Sequence, residues 1–181
     1  MTKWLDWLEE RRPKFFAKIE LQLLMNLTSR IFGQKSRCLW VFGPDKALRL
    51  YAQYTKELLL NHHIGDDESL QCRMRTEAYK LGRLLRRVTG LRNRSNLKRL
   101  VFILYKNIGI EMSGDIPGNI YVSRCYFSDF YDSKMCKVIS GLDGGIISGL
   151  YGGGKLVFTE RITEGCVCCK ACFKQNKDVE K

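Results

Sequence analysis

The feature that most constrains this chain is the segment Cys125–Phe173, in which cysteine and glycine are concentrated. It holds six of the eight cysteines and eight of the sixteen glycines. Thiolates at short spacing on a turn or hairpin converge on one point, so these cysteines are candidate metal ligands. Free cysteines are also common as small buried hydrophobic residues. Because the run at 166–172 lacks the paired spacing of a zinc ribbon, spacing alone leaves both interpretations open.

Alternation along residues 166–173 separates the last four cysteines into two groups. In a strand, Cys166, Cys168 and Cys172 share one face, whereas Cys169 lies with apolar neighbours on the other. The sequence therefore predicts three aligned candidate ligands and one buried thiol, Cys169.

Length and composition indicate one domain, or one domain with an appendage, since 181 residues of which 45% are hydrophobic can form a real core. No segment approaches the roughly 18 uninterrupted apolar residues of a membrane span. The N-terminus has no secretory-signal pattern. We therefore expect a cytoplasmic location, where cysteines serve more often as metal ligands or catalytic groups than in disulfides.

The net charge of +12 is concentrated in one stretch, Arg73–Arg99, which holds ten Lys or Arg and a single acid, Glu77. A solvated polar face is the simplest interpretation, and binding of an anionic ligand or partner is the alternative. No aromatic-interleaved RNA motif or base-reading helix accompanies this charge, so nucleic acid is not an expected partner.

Apolar residues recur at spacings of three and four through the first hundred residues, which predicts an almost wholly helical first half. A short amphipathic helix at Trp4–Leu8 precedes Pro13, and its tryptophans favour core packing or a homodimer contact over a membrane interface. Longer helices are predicted at about 14–32, 45–60, 69–89 and 95–108. We assign residues 1–43 to a helical extension and residues 44–181 to the main domain.

The second half has a different pattern, with strands on either side of a helix that contains glycine. The predicted elements are a strand at 119–124, a helix at 133–150 and a hairpin of 155–162 and 166–174. Glycine in a helix costs roughly 1 kcal/mol relative to alanine, so four glycines there indicate close approach of a backbone or a ligand. The four are Gly141, Gly144, Gly145 and Gly149. The predicted fold class is α/β (α+β), with an N-terminal helical layer packed on a small antiparallel sheet.

Several residues of this segment form a recognisable pattern: an Arg-Cys pair, a cysteine and an acid around the glycine-containing helix, a strand that ends in Glu, and a closing Gly with Cys-Phe. In this chain they are Arg124-Cys125, Cys136, Asp143, Gly141–Gly149, Glu160, Gly165 and Cys172-Phe173. In these features the chain resembles the 4-vinyl reductase-like domain and the related L-2-amino-thiazoline-4-carboxylic acid hydrolase-like family. The resemblance implies a ligand-binding domain, and we expect its pocket between the sheet and the helices, near the cysteines.

The resemblance also implies a zinc ion held by side chains of the helix, the strand and the hairpin, namely Cys136, Glu160 and Cys172. Thr163 stands where the family has a further cysteine. The fourth ligand stays open among three other cysteines, Cys125, Cys166 and Cys168. Thiolate-rich tetrahedral sites favour zinc, and iron or an iron–sulfur cluster is the alternative.

The activity implied by the resemblance is hydrolytic ring opening of a small thiazoline-type amidine. In that mechanism a metal would lower the pKa of a bound water and Glu160 or Asp143 would act as general base. An arginine of the basic stretch would hold a substrate carboxylate. The alternative function is a non-catalytic sensor or adaptor with a structural metal and a pocket for an apolar small molecule. A redox protein that uses the cysteine-rich hairpin is a third hypothesis.

Overall fold

The computed structural model describes residues 5–6, 13–62 and 67–176, and within these ranges it confirms the predicted α+β fold. The helices are α1 Pro13–Ile31, α2 Pro44–Leu60, α3 Asp67–Thr89, α4 Arg94–Asn107 and α5 Ser133–Tyr151. The strands are β1 Ile110–Gly114, β2 Gly118–Cys125, β3 Lys155–Glu160 and β4 Cys169–Lys174. They form one antiparallel sheet in the order β1-β2-β4-β3. Of the helices in the described ranges, none has both the length and the hydropathy needed to cross a bilayer.

The helices begin and end at residues that satisfy their free backbone groups. The side chain of Asn93 accepts a hydrogen bond from the backbone N–H of Ser95 at 2.8 Å, which caps α4. Asp132 caps α5 in the same way by accepting from the N–H of Met135. Gly152 ends α5 in the left-handed conformation, with φ of 80°, which glycine adopts without strain.

Helices α3 and α5 pack with their backbones in close approach because both present glycine at the contact. Every fourth residue of α5 along this contact is a glycine, namely Gly141, Gly145 and Gly149, and a Cβ atom at any of them would overlap the backbone of α3. Gly82 of α3 meets the backbone of α5 in the same manner. The prediction of close approach is confirmed for Gly141, Gly145 and Gly149, where the approaching element is the backbone of α3, whereas Gly144 would make only ordinary contacts.

One hydrophobic cluster joins the helices to the inner face of the sheet. Leu21 and Met25 of α1 are buried in the same cluster as Ile147 of α5 and Phe173 of β4. Helix α1 therefore shares a core with later elements, and the assignment of residues 1–43 to an extension stays a prediction. Leu5, from the predicted N-terminal helix, is also buried in this cluster. The tryptophans of that helix lie outside the described residues, so a homodimer contact there stays a prediction.

Buried tyrosines connect the helical layer to the segment that precedes α5. The hydroxyl of Tyr51 in α2 lies 3.1 Å from Oγ1 of Thr28 in α1. The Thr55 hydroxyl of α2 forms a hydrogen bond with the hydroxyl of Tyr131. Tyr51 and Tyr131 both line the cavity described below, so these hydrogen bonds fix two of its walls.

Candidate functional site

A cavity of about 380 Å³ lies between the helices and the inner face of the sheet. Its wall is predominantly apolar and includes Leu24 of α1, Leu85 of α3, Leu104 of α4, Ile147 of α5 and Ile120 of β2. This volume falls in the range of small-molecule sites. The prediction of a pocket between the sheet and the helices is confirmed.

The most exposed lining residues of the cavity lie on α1 and at the C-terminal end of α3. They are Leu23 of α1, which is 37% exposed, and Val88 of α3, which is 76% exposed. Other lining residues are buried or half-buried. The mouth of the cavity is therefore at Leu23 and Val88.

Asp143 lies far from this mouth along α3, whereas another lining carboxyl group, that of Glu20, is one turn of α1 before Leu23. Helices α3 and α5 run parallel, and Gly145 of α5 packs on Arg75 and Tyr79 of α3. Asp143, half a turn before Gly145, is thus level with about Arg75, thirteen residues before Val88. At a rise of 1.5 Å per helical residue, the mouth and Asp143 are about 20 Å apart along α3.

Asp143 is the central polar group of the cavity. The hydroxyl of Tyr105 in α4 donates a hydrogen bond to its Oδ1 at 2.9 Å. Burial raises the pKa of Asp143 to about 6, although the hydrogen bond from Tyr105 and the positive charge of Arg161 act in the opposite direction. A carboxyl group with this pKa holds or releases a proton near neutral pH, as general acids and bases do.

Arg161 brings a positive charge to the same end of the cavity, although only 8% of the residue is exposed. Its Nη2 lies 3.4 Å from the Ser140 hydroxyl, and its Nε lies 3.8 Å from Oε1 of Glu164. Its guanidinium carbon lies 4.3 Å from the centre of the Phe158 ring. No arginine of the described stretch Arg73–Arg99 lines the cavity. The predicted role of an arginine from that stretch at the pocket therefore has no support, and Arg161 is the arginine placed there.

Three cysteines line the cavity near Asp143, namely Cys125, Cys136 and Cys169. Burial raises the pKa of the Cys125 thiol to about 12 and also raises the pKa values of the other two. The backbone N–H of Ile162 donates to Sγ of Cys169 at 3.3 Å. Thiols with raised pKa values stay protonated at neutral pH and are poor nucleophiles. The prediction that Cys169 is a buried thiol is confirmed.

Glu160, a predicted metal ligand and general base, lies outside the cavity. In a regular strand it would share the inner face with Phe158, but the register of β3 shifts between these two residues. This bulge places Glu160 on the outer face of the sheet, where Nζ of Lys170 donates to its Oε1 at 2.8 Å. The inner face therefore loses a carboxylate that strict alternation would have placed there.

The other hairpin cysteines are also away from the cavity. Cys172 alternates with buried residues of β4 and lies on the outer face with Lys170. Strand β4 begins at Cys169, so Cys166 and Cys168 belong to the preceding turn. The prediction that three cysteines line up on one face of a strand is therefore wrong, because the connection after β3 is longer than a tight hairpin turn.

The predicted zinc ligands are thus divided by the sheet. Cys125 and Cys136 lie on the cavity side, whereas Glu160 and Cys172 lie on the outer face. In the ranges that the structure describes, no group of three or more His, Cys, Asp or Glu side chains is placed to hold a metal ion. The residues present do not fit the implied zinc site, and bound zinc or iron stays a prediction.

Sequence patterns did not single out three polar residues of the cavity, Glu20, Tyr105 and Arg161. Glu20 of α1 lines the cavity, and its Oε2 is buried without a hydrogen-bond partner among the described residues. Burial raises the pKa of its carboxyl well above the usual value, although a hydrogen bond with Asn107 acts in the opposite direction. The available signal for Tyr105 is its hydroxyl at the end of the otherwise apolar run 100–105, because a buried tyrosine hydroxyl needs a partner. Arg161 directly follows a strand, and nothing in its local pattern marks it as buried.

The chain matches no protein-family model, no curated protein and no solved structure. The resemblance to 4-vinyl reductase-like and thiazoline hydrolase-like proteins therefore stays a prediction. The cavity itself is the basis for a functional proposal.

Proposed function

We propose that this protein binds an elongated, predominantly apolar small molecule in its cavity, with the polar group of that molecule held at Asp143, Tyr105 and Arg161. The observation that carries the proposal is the cavity itself, which has an apolar wall and polar side chains near its inner end. Sites with a mostly apolar lining and a few convergent polar groups are typical of small-molecule binding. A non-catalytic sensor or carrier would need no further groups.

The polar end is suited to orient a ligand. Asp143 accepts from Tyr105 through Oδ1, and Arg161 directs a guanidinium group toward the same region. A bound molecule with a hydrogen-bonding group can interact with both while its apolar part contacts the aliphatic wall. Apolar contact then supplies affinity, and the polar end selects the ligand.

The proposal is tested by displacement of a fluorescent dye that brightens in apolar sites, using straight-chain alcohols of increasing length. Each additional buried CH₂ contributes about 0.8 kcal/mol, so affinity should rise about fourfold per carbon until the chain fills the cavity. Leu104→Trp, which adds an indole at the cavity wall, should weaken binding at least about tenfold. Leu60→Trp is the matched control, because Leu60 is 61% exposed and does not line the cavity. Affinity that is independent of chain length, or equal in both variants, would refute the proposal.

A second candidate function is hydrolysis of a thiazoline-type cyclic amidine, supported by the pKa of about 6 for Asp143. With this pKa, Asp143 suits the role of a general base that activates water beside a bound ring. Tyr105 would orient the carboxyl, and Arg161 would hold a substrate carboxylate. No metal ion is required for these roles.

Turnover of a thiazoline-type amidine, followed by mass spectrometry of the ring-opened product, tests this second candidate. Asp143→Asn should lower kcat by about 10²-fold or more, the usual contribution of a general base. Glu160→Gln is a matched loss of one carboxylate outside the cavity and should leave kcat within about twofold of the wild type. If Asp143→Asn retains more than a tenth of wild-type turnover, Asp143 is not the base.

A further inference from the structure

The mouth of the cavity has an exposed apolar rim. Leu84 and Val88 lie one turn apart on the same side of α3 and are 52% and 76% exposed, and Leu23 of α1 is 37% exposed. We call Leu23, Leu84 and Val88 the apolar rim. Aliphatic side chains grouped around one opening, rather than scattered singly, indicate a surface that contacts an apolar partner.

Positive charge lies on the same turns of α3 as this rim. Three arginines there form what we call the arginine cluster: Arg83 and Arg87, which are exposed, and Arg86, which is half-buried. None of the three has an acidic partner among the described residues, because Glu77 pairs instead with Arg30 and Lys80. Within the described residues, no acidic side chain therefore pairs with the arginine cluster.

We propose that the apolar rim and the arginine cluster dock the mouth of the cavity on an anionic lipid bilayer. In such a contact the arginines attract the anionic headgroups while the aliphatic side chains enter the boundary of the acyl chains. The docked cavity then opens directly toward the apolar layer, so an apolar molecule moves between membrane and protein without crossing water. This transfer rests on the proposed function, whereas the docking does not.

The combination of features favours a membrane over other anionic partners. A nucleic acid would use the arginines, but its phosphate backbone would leave the three rim residues exposed to water, and the rim contains no aromatic side chain for stacking on bases. An acidic protein would use the charge but would cover the opening of the cavity. A bilayer uses the charge and the rim and is itself a reservoir of apolar molecules.

Sedimentation with phosphatidylcholine vesicles, prepared with and without phosphatidylserine, tests the docking. The protein should bind the anionic vesicles and not the neutral ones, and higher salt should weaken binding. The triple variant Arg83→Gln, Arg86→Gln and Arg87→Gln should lower the partition coefficient on the order of 100-fold, since each basic side chain near an anionic surface contributes about fivefold. The matched control is Lys134→Gln, Lys137→Gln and Lys155→Gln, three exposed residues that do not line the cavity. Both triple variants lower the net charge from +12 to +9, because each removes three positive charges.

A second pair of changes tests the apolar rim without altering charge. Leu84→Ser with Val88→Ser should lower the partition coefficient about tenfold, because partial burial of two aliphatic side chains is lost. Both residues are exposed, so thermal unfolding should confirm that the variant is folded. The plugged variant Leu104→Trp should bind vesicles like the wild type even though it loses cavity ligands, which separates the docking from the proposed function.

Three results would overturn the docking. The first is absence of binding to anionic vesicles, and the second is an equal loss of binding in the two triple variants. The third is that the arginine cluster is needed for binding a single-stranded oligonucleotide, or for self-association, while the protein does not bind vesicles. Equal losses would mean that overall charge, rather than the mouth, controls binding.

Discussion

Substitution of single glycines in α5 gives the sharpest test of how the wall of the cavity is built. Gly144 and Gly145 are adjacent in the same helix, and both are buried. A Cβ at Gly144 would meet Nε of Arg75 at 3.6 Å and Cβ of Leu156 at 3.8 Å, which are ordinary contacts. A Cβ at Gly145 would lie 2.6 Å from Cβ of Ala78 and 2.9 Å from the backbone N of Tyr79. Alanine therefore gains the same helix propensity at both positions, but its methyl group fits at Gly144 and overlaps α3 at Gly145.

The expected free energies of unfolding follow from these contacts. Replacing glycine by alanine in a helix gains about 1 kcal/mol, so Gly144→Ala should stabilise by up to about 1 kcal/mol. Gly145→Ala makes the same gain but forces α3 and α5 apart, and overpacking against stiff backbone costs about 3 kcal/mol or more. The net effect is a loss of at least about 2 kcal/mol. In a chain of this size each kcal/mol corresponds to roughly 2–4 °C in Tm.

Urea unfolding followed by circular dichroism provides the measurement, since a change in midpoint at constant slope reports stability alone. The midpoint should rise for Gly144→Ala and fall for Gly145→Ala. The second variant should also bind cavity ligands more weakly, because α3 and α5 both supply wall residues. The close approach would be refuted if both variants shifted the midpoint in the same direction, or if Gly145→Ala stayed within about 0.5 kcal/mol of the wild type.

Three further predictions concern the polar groups. Burial raises the pKa of Asp143 from 3.8 to about 6, so the folded state binds this proton more tightly. As pH falls from about 7 to about 4, the wild type should gain about 2.4 kcal/mol relative to Asp143→Asn, and parallel urea midpoints in the two proteins across that range would contradict the assignment. Iodoacetamide should alkylate the exposed Cys38 and Cys72 rapidly and the buried Cys169 slowly, as measured by peptide mass spectrometry. Equal alkylation rates would show that the cavity thiols are accessible as thiolates. Glu160→Gln and Cys172→Ser should each leave dye displacement within about twofold of the wild type, since both residues lie on the outer face of the sheet, and a tenfold loss in either would place that residue at the ligand.

Helical periodicity predicts much of this fold because the spacing of apolar residues indicates both each amphipathic helix and its buried face. The helix expected at 69–89 is observed at Asp67–Thr89, and Gly90 follows it in the left-handed conformation. The glycines of α5 correctly indicate close approach, but local sequence does not name the partner, which lies sixty to seventy residues away in α3. Strand β1 was not predicted, since its five residues, IEMSG, are short and have only one fully buried side chain.

The candidate site was harder to predict because a strand face depends on every residue between two positions. Alternation correctly assigns Cys169 to the inner face, since Cys169 lies within the regular part of β4. The same reasoning fails for Glu160, because one irregular step after Phe158 reverses the face of every residue that follows. Tyr105 and Arg161 come from elements far apart in sequence, and only the packing of α4, α5 and the sheet brings them to Asp143.

The position of the polar cluster limits which molecule the cavity can hold. A ligand that enters at Val88 and reaches Asp143 carries its polar group past about 20 Å of wall that is apolar apart from Glu20 of α1. Transfer of an isolated charge into such surroundings costs more free energy than a single ion pair regains. Transfer of a neutral hydrogen-bonding group costs only a few kcal/mol, and a hydrogen bond with a partner regains most of that free energy. Asp143 can serve such a group in either protonation state, because its pKa of about 6 makes its carboxyl a donor or an acceptor near neutral pH. Under the proposed function, the ligand should therefore end in a neutral polar group, and an alkyl amide or alcohol should displace the dye more strongly than an alkyl sulfate of equal length. Stronger displacement of the dye by the alkyl sulfate would show that Arg161, and not Asp143, controls binding at the polar end.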